Sequence, residues 1–147
     1  MKNYLNSSNK KIKILKYLKF CLKKGNKEKT EKILKNAFAL VKKSEKINPL
    51  LIFLASFYKA RPFCEIKNLN IRGNLKKLPV TVSSIRQQNL ALRWLSVNAL
   101  ERNEKTFSEK LSKELIDTVL LQSKTVKICD ELHKTVEANK TFIIVRN

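Results

Sequence analysis

The chain is 147 residues long, 43% of its residues are hydrophobic and 30% are charged, and its formal net charge is +20. A domain of this length can bury about 68–70% of its unfolded surface, so one core suffices without metals or disulfides, and the apolar content excludes wholesale disorder. The longest apolar run, residues 50–55, is too short to span a bilayer, so we expect a soluble protein.

The positive charge is concentrated in the first two thirds of the chain. Residues 1–46 carry a net charge of +12, residues 47–93 carry +7, and residues 94–147 carry only +1. Because so many like charges repel one another in a compact fold, they indicate a polyanionic partner that offsets the repulsion. We therefore expect the binding surface to lie mostly within residues 1–93.

Residues suited to catalysis or metal binding are scarce. His133 is the single histidine, the two glycines cannot form a phosphate-binding loop, and no arrangement of Ser, His and acid is visible. The three cysteines, Cys21, Cys64 and Cys129, form no CxxC pair, so we expect reduced packing residues rather than metal ligands. The sequence predicts neither an enzyme nor a cofactor.

Residues 1–11 are polar and predict a flexible basic arm, followed by one helical domain over residues 12–147. Apolar residues at helical spacing predict a first helix over Ile12–Lys24, which ends before Gly25. A second helix is predicted over Lys27–Lys43, with lysines on its outer face and one apolar stripe. That stripe consists of Ile33, Leu34, Ala37, Phe38 and Val41.

Asn48-Pro49 predicts the start of a third helix, because asparagine caps helix N-termini and proline is favoured at the first helical position. Arg61-Pro62 ends this helix, since the residue before a proline disfavours helical backbone angles. We expect the buried face to contain Leu51, Leu54, Ala55 and Tyr58.

The next stretch predicts a β-hairpin at about residues 63–82. Side chains alternate with period two from Phe63 to Asn70, the pattern breaks at Arg72-Gly73-Asn74, and Leu78–Val82 returns the chain. Pro79 cannot donate to a β-ladder, so the second strand is an edge. We interpret the hairpin as a projecting basic finger; the alternative is a small structural hairpin that closes the helical core.

Ser83 or Ser84 predicts the N-cap of a fourth helix that continues to about Arg102. Trp94 stands among helical apolar residues, which favours a core anchor over a platform for stacking bases. The residues expected to face the core are Leu92, Leu95 and Ala99.

Thr106–Glu109 matches a capping box and predicts the start of a fifth helix. A last helix is predicted from about Lys127 or Asp130, and it ends in the β-branched residues Ile143–Val145. The expected fold class is mainly α: a six-helix bundle with one protruding β-hairpin between the third and fourth helices. The apolar stripe of the fifth helix is Phe107, Leu111, Leu115 and Val119, and that of the last helix includes Leu132 and Val136.

Several of these motifs resemble one known family when they are taken together. Arg61-Pro62, LPVTV at Leu78–Val82 and LALRW at Leu90–Trp94 occur at a spacing similar to that of small-subunit ribosomal protein seven, an RNA-binding protein of the ribosomal head. The stretch ELHKTVEANKTF at Glu131–Phe142 is similar to the terminal helix of that family. The resemblance covers Lys16–Asn147 and implies the same fold of six helices and a hairpin.

The resemblance implies a structural constituent of the small ribosomal subunit. Such a protein binds the 3′ major domain of the ribosomal RNA, nucleates assembly of the head, and holds its hairpin near the exit-site tRNA and the mRNA path. The implied partners are ribosomal RNA, neighbouring head proteins and, transiently, tRNA and mRNA, with no membrane. Lysine and arginine serve this role by neutralising phosphates and releasing counterions.

The expected RNA-binding residues come from two sources. Lys10, Lys11, Lys13 and Lys16 are chosen on charge alone. The positions carried over from the matched motifs and the hairpin tip are Lys27, Arg61, Lys67, Arg72, Lys76, Lys77, Arg86, Arg93 and Arg102.

This chain departs from the family pattern in the finger and just after it. Asn68-Leu69-Asn70 replaces a basic run, Ser83-Ser84 replaces an Arg-Pro pair, and Gln87 stands where a second arginine is usual. We therefore expect an RNA contact that is weaker or differently placed.

Composition also bears on where the protein acts. Lysine outnumbers arginine 26 to 6 and there are 14 asparagines, as AT-rich coding sequence would produce. Residues 1–11 lack the arginines of a mitochondrial transit peptide. We expect an organelle-encoded protein in ribosomes of the mitochondrial matrix, with a plastid or the bacterial cytoplasm as alternatives.

Two other classes of binding protein would use similar helices. An architectural protein that binds double-stranded DNA would share the basic surface, and an interfacial membrane protein could use the lysine-rich helix from Ile12. The hairpin and the nearly neutral C-terminal third favour RNA over DNA. The helix from Ile12 is one of several that a core needs to bury, which argues against the membrane protein.

Overall fold

A computed structural model describes residue 17, residues 26–71 and residues 74–140, with the backbone alone at residues 71 and 74–76. These residues form five α-helices and one two-stranded antiparallel sheet. The order is α1 (Lys27–Glu45), α2 (Pro49–Lys59), β1 (Cys64–Ile71), β2 (Asn74–Thr81), α3 (Ser84–Leu100), α4 (Phe107–Val119) and α5 (Lys124–Ala138).

The mainly helical class and the hairpin between two helices are confirmed, but the described residues hold five helices where six were predicted. The helix predicted over Ile12–Lys24 lies outside those residues, apart from Tyr17, which is helical and fully buried. The arm predicted over residues 1–11 also lies outside them.

Local side-chain caps start the first two helices. The Asn26 side chain accepts a hydrogen bond from the Lys29 N–H at 3.2 Å, and that of Asn48 accepts one from the Leu50 N–H at 3.0 Å. These bonds satisfy backbone donors that have no partner within the helix. The predicted Asn48-Pro49 start is therefore confirmed.

The predicted buried face of α2 was wrong in part. Leu51 and Tyr58 are 48% and 39% exposed, whereas Phe53 and Phe57 are almost fully buried. The cause lies in the sequence, because residues 50–55 are all apolar and their periodicity cannot fix which side of the helix faces inward.

The hydrophobic core surrounds α4, which packs against α1, α2 and α3. Leu111 and Leu115 of α4 are at most 1% exposed, as predicted. The Phe53 ring contacts the Tyr17 ring at a centroid distance of 5.3 Å. Burial of each such leucine contributes about 1.5–3 kcal/mol. The other buried apolar residues of this cluster include Leu34, Ala37, Val41, Leu92, Leu95 and Ala99.

Among the last three helices, the predicted start of α4 is confirmed, whereas the end of α3 and the start of α5 differ from the prediction. Thr106 and Glu109 form the predicted capping box, with reciprocal bonds of 3.3 and 3.2 Å. Helix α3 ends at Leu100, two residues before the predicted Arg102. Helix α5 begins at Lys124, earlier than predicted, because the Ser123 side chain accepts from the Val126 N–H.

A tight turn joins α4 to α5. The Leu121 N–H donates to the Thr118 carbonyl at 3.2 Å, and the Gln122 N–H donates to the Asp117 carbonyl at 2.9 Å, which is the Schellman pattern. This pattern places Leu121 in the left-handed region at φ 63°, where glycine is usual. A leucine there costs roughly 1–2 kcal/mol.

The hairpin register pairs Cys64 with Thr81 and Ile71 with Asn74, and the Val82 N–H donates to the Phe63 carbonyl at 3.1 Å. The predicted span of about 63–82 is confirmed. Asn74 is the first residue of β2 rather than a turn residue, while Arg72 and Gly73 lie outside the described residues. Strand β1 packs against α5, so the last helix supports the hairpin.

Candidate nucleic-acid interface

The hairpin joins the bundle at a set of contacts that we call the hairpin root, meaning residues 61–64 and 81–87. Arg61 connects its parts: its Nη2 donates to Gln87 Oε1 at 2.8 Å, and the Gln87 amide donates to the Val82 carbonyl at 3.0 Å. The Arg61 guanidinium also lies over the Tyr58 ring, 5.4 Å from its centroid. An arginine at position 87 could not accept the bond from Arg61, which gives the glutamine at this position a structural role.

Phe63 begins the hairpin as an exposed aromatic ring. The side chain is 67% exposed, its backbone N–H donates to His133 Nε2 at 3.2 Å, and the two rings stack at 6.1 Å with an interplanar angle of 22°. In this contact the backbone N–H is the donor and the imidazole nitrogen Nε2 is the acceptor. Strand alternation gave no sign of this contact, which joins residues 70 positions apart.

Several predicted RNA-binding cations of the described residues extend into solvent. Arg86 pairs with Glu65 at 2.8 Å while 59% of its side chain stays exposed, and Lys27 lies 4.0 Å from Glu31 with 69% exposed. The exposed Lys27–Glu31 pair contributes only about 0–1 kcal/mol, so a phosphate can replace its carboxylate at little cost. Glu65 is only 15% exposed, so Arg86 would bind a phosphate through its exposed part while it stays paired with Glu65. Lys67, Lys77 and Arg93 are also exposed.

Exposed lysines occur on both faces of the hairpin. In the register, Lys67 lies opposite Leu78, whereas Lys77 lies opposite Asn68, so the two lysines point to opposite sides of the sheet. A two-stranded ribbon with cations on both faces can neutralise phosphates on either side.

Arg102 occupies a different environment from these cations. Its Nη1 donates to Glu114 at 2.7 Å, its Nη2 donates to Asp117 at 2.6 Å, and its Nε lies 3.4 Å from Glu104. Burial alone would lower the pKa of Arg102, but the hydrogen bonds to Asp117 and Glu114 raise it above its usual value. All three guanidinium nitrogens are engaged inside the fold, so no geometry supports the predicted phosphate contact.

The carboxylates of this network are mostly buried. Glu114 is 1% exposed and also accepts a hydrogen bond from Thr125 Oγ1 at 2.7 Å. Burial tends to raise the pKa of Glu104, but its own backbone N–H and the Arg102 guanidinium lower it below its usual value. The network joins the C-terminal end of α3 to α4 and α5.

The remaining predicted contacts cannot be placed. Lys10, Lys11, Lys13, Lys16 and Arg72 lie outside the described residues, and only the backbone of Lys76 is described.

The two cysteines that the structure describes are buried or half-buried. Cys129 is buried, and desolvation, followed by the nearby Asp130 charge, raises the pKa of its thiol to about 11. Cys64 is half-buried, while Cys21 lies outside the described residues. Within the described ranges, no group of three His, Cys, Asp or Glu residues could hold a metal ion. Among the helices described here, none is long and apolar enough to cross a membrane.

Comparison with known proteins gives a consistent result. Residues 4–140 match the sequence profile of the family described as Ribosomal protein S7p/S5e. The chain is 36% identical over 133 residues to small ribosomal subunit protein uS7 of Syntrophus aciditrophicus, covering 90% of this chain and 85% of the relative. It is 34% identical over 131 residues to the protein of the same name from a Bradyrhizobium species, covering 89% and 84%.

The family match includes the hairpin and the five described helices, and the two relatives cover 90% and 89% of the chain. The chain therefore belongs to the ribosomal protein S7p/S5e family, whose members are structural, non-enzymatic components of the small ribosomal subunit.

Proposed function

We propose that this protein binds the 3′ major domain of small-subunit ribosomal RNA, nucleates assembly of the head, and contacts neighbouring head proteins. The observation that carries the proposal is a difference between the cations in two parts of the chain. Residues 1–93 hold +19 of the net charge, and Lys27, Lys67, Lys77, Arg86 and Arg93 have exposed side chains, whereas Arg102, just after α3, is bound by three carboxylates. Membership of a ribosomal family supports RNA as the polyanion.

The proposed phosphate contacts fall into two groups, and Arg61 is considered apart from them. Those with exposed side chains are Lys27, Lys67, Lys77, Arg86 and Arg93. Those proposed on sequence alone are Lys10, Lys11, Lys13, Lys16, Arg72 and Lys76. Arg61 is half-buried and holds the hairpin root, so we assign it mainly a positioning role.

Salt titration of binding to a transcript of the 3′ major domain tests the electrostatic part. If the surface makes on the order of 6–10 phosphate contacts, affinity falls roughly 10³–10⁵-fold between 50 and 200 mM salt. A slope near zero contradicts the proposal. Duplex DNA of matched length is the control, because equal affinity for both would favour the architectural DNA-binding alternative.

We further propose that the hairpin tip guards the exit-site tRNA and the mRNA path, while the helices and the N-terminal arm hold ribosomal RNA. Deletion of residues 70–76 then leaves incorporation into small subunits largely intact and speeds the release of deacylated tRNA. Substitution of Lys10, Lys11, Lys13 and Lys16 together with Arg86 and Arg93 impairs incorporation, because each lost phosphate contact lowers affinity for RNA. Sedimentation with small subunits measures both variants, and the opposite pattern reverses this division.

The proposed location is the mitochondrial matrix, on the basis of the 26 lysines, 6 arginines and 14 asparagines. A plastid and the bacterial cytoplasm are the alternatives, and the relatives named above are bacterial. Mass spectrometry of ribosomes purified from each compartment of the source cell tests this assignment, and recovery in cytoplasmic ribosomes alone contradicts it.

A further inference from the structure

The Phe63 ring has a position that neither the core nor the strand pairing explains. It is 67% exposed at the hairpin root, although the neighbouring Val82 is 7% exposed and packs inward. Single exposed apolar residues are common and by themselves indicate nothing. What distinguishes this ring is that it is held in a fixed orientation.

Three contacts fix the ring and its backbone. The Phe63 N–H donates to His133 Nε2, its carbonyl accepts from the Val82 N–H, and the imidazole stacks against the ring at an angle of 22°. Two of these contacts hold the backbone and the third is the stack on the imidazole, so the ring has a preferred orientation without a partner. When a ligand stacks on a ring that already has this orientation, the protein loses little conformational entropy. Binding would cost more entropy if the side chain had to be ordered first.

The charges around the ring favour an RNA ligand. Arg61 lies two residues earlier, and Arg86 reaches β1 through its pair with Glu65 at 2.8 Å. That pair neutralises the nearest acid on the strand, and on α5 the Glu137 carboxylate lies 3.8 Å from the Lys140 ammonium. An apolar protein surface would have to desolvate these cations, whereas an RNA strand places phosphates beside them.

We propose that Phe63 is a stacking platform for one unpaired base of the ribosomal RNA, with Arg86 binding a phosphate next to that base. Unpaired bases in RNA loops and junctions stack on exposed aromatic side chains, and every base offers a π face. The contact therefore requires an unstacked nucleotide but no particular base. This inference rests on the proposed function and adds a non-electrostatic contact to it.

The test uses the full-length protein and the 3′ major domain transcript with 2-aminopurine at single unpaired positions. Phe63→Ala and Phe63→Leu lower affinity about 5- to 150-fold, as expected for loss of one base-aromatic stack. Phe63→Trp and Phe63→Tyr retain affinity. Binding of the wild type quenches 2-aminopurine fluorescence at one position, and Phe63→Leu abolishes that quenching.

The salt slope separates stacking from electrostatics. Loss of a stack releases no counterions, so Phe63→Leu keeps the wild-type slope, whereas Lys67→Ala reduces the slope by about 1. Ile85→Ala is the matched control, because Ile85 is 68% exposed at the same root and carries no ring. The control binds RNA like the wild type.

Two results overturn the inference. If Phe63→Leu binds RNA with wild-type affinity while the wild type keeps its steep salt slope, the platform is wrong and the proposed function stands. If that variant binds RNA normally yet fails to sediment with small subunits, the ring contacts a protein instead. A wild type that shows no salt dependence contradicts the proposed function itself.

Discussion

The C-terminal end of α3 and the β-hairpin use the same positively charged residue types in opposite ways. In the first region Arg102 is enclosed by Glu114, Asp117 and Glu104, and residues 94–147 carry a net charge of only +1. In the hairpin, Lys67 and Lys77 are exposed on opposite faces, and Glu65 is the single acid of residues 47–93. The local supply of carboxylates thus decides whether a cation stabilises the fold or remains available to a polyanion.

The largest effect is expected when the enclosed arginine is removed. Arg102→Leu leaves Glu114 buried without its cation and destabilises the fold by about 3–5 kcal/mol, measured by urea denaturation. The matched control is Arg93→Leu on α3, where the side chain is exposed and the change stays within about 0.5 kcal/mol.

The RNA affinities of the same two variants give a second test of the difference between the two regions. At a temperature where both variants are folded, Arg93→Leu weakens RNA binding and Arg102→Leu does not. If Arg102→Leu keeps its stability but loses affinity, the two regions are not distinct and the phosphate contact predicted for Arg102 is real.

A second contrast compares apolar residues in the bundle and the hairpin. Leu115→Ala removes a fully buried side chain from α4 and costs about 2–5 kcal/mol. Leu69 in β1 is 44% exposed, and Leu69→Ala changes the free energy of unfolding by no more than about 0.5 kcal/mol. Thermal or chemical unfolding measures both, and equal losses would mean that the hairpin is part of the core.

Acid unfolding probes the enclosed network separately. The folded state lowers the pKa of Glu104, so its stabilising contribution is complete above its usual value of 4.5 and disappears as pH falls through the lower folded pKa. Glu104→Gln should therefore cost about 1.5–3 kcal/mol at neutral pH, as for a hydrogen bond to a charged group. The difference from the wild type shrinks below pH 4.5, and a constant difference across pH would contradict this account.

The smallest expected effect lies at the turn after α4. Leu121→Gly removes the steric penalty of the left-handed conformation at φ 63° and stabilises the fold by about 1 kcal/mol. Leu120→Gly serves as the control, because Leu120 has φ −80° and gains nothing from glycine. A gain at position 120 that equals the gain at 121 would contradict the backbone explanation.

Local signals in the sequence predicted much of the fold. The capping box at Thr106–Glu109, the Asn48-Pro49 start and the alternation of the hairpin all arise from neighbouring residues, and the structure confirms them. The buried face of α2 was partly mispredicted because an almost uninterrupted apolar run has no clear phase.

Contacts between distant residues could not be predicted in the same way. Arg102 was predicted to bind RNA from its place in a matched family motif, but its main partners lie 12 and 15 residues later on α4, which no local pattern indicated. The Phe63 and His133 contact spans 70 residues, and no local pattern relates the two.

That span also has a consequence for synthesis of the protein. The hairpin can pair its own strands soon after residue 82 is made, but the imidazole that holds its root arrives with residue 133. At roughly 5–20 residues per second, a ribosome needs about 3–10 s to add those 51 residues. During this interval the basic ribbon can be held by the Arg61–Gln87 and Glu65–Arg86 contacts with α3, and its contact with the last helix forms at the end.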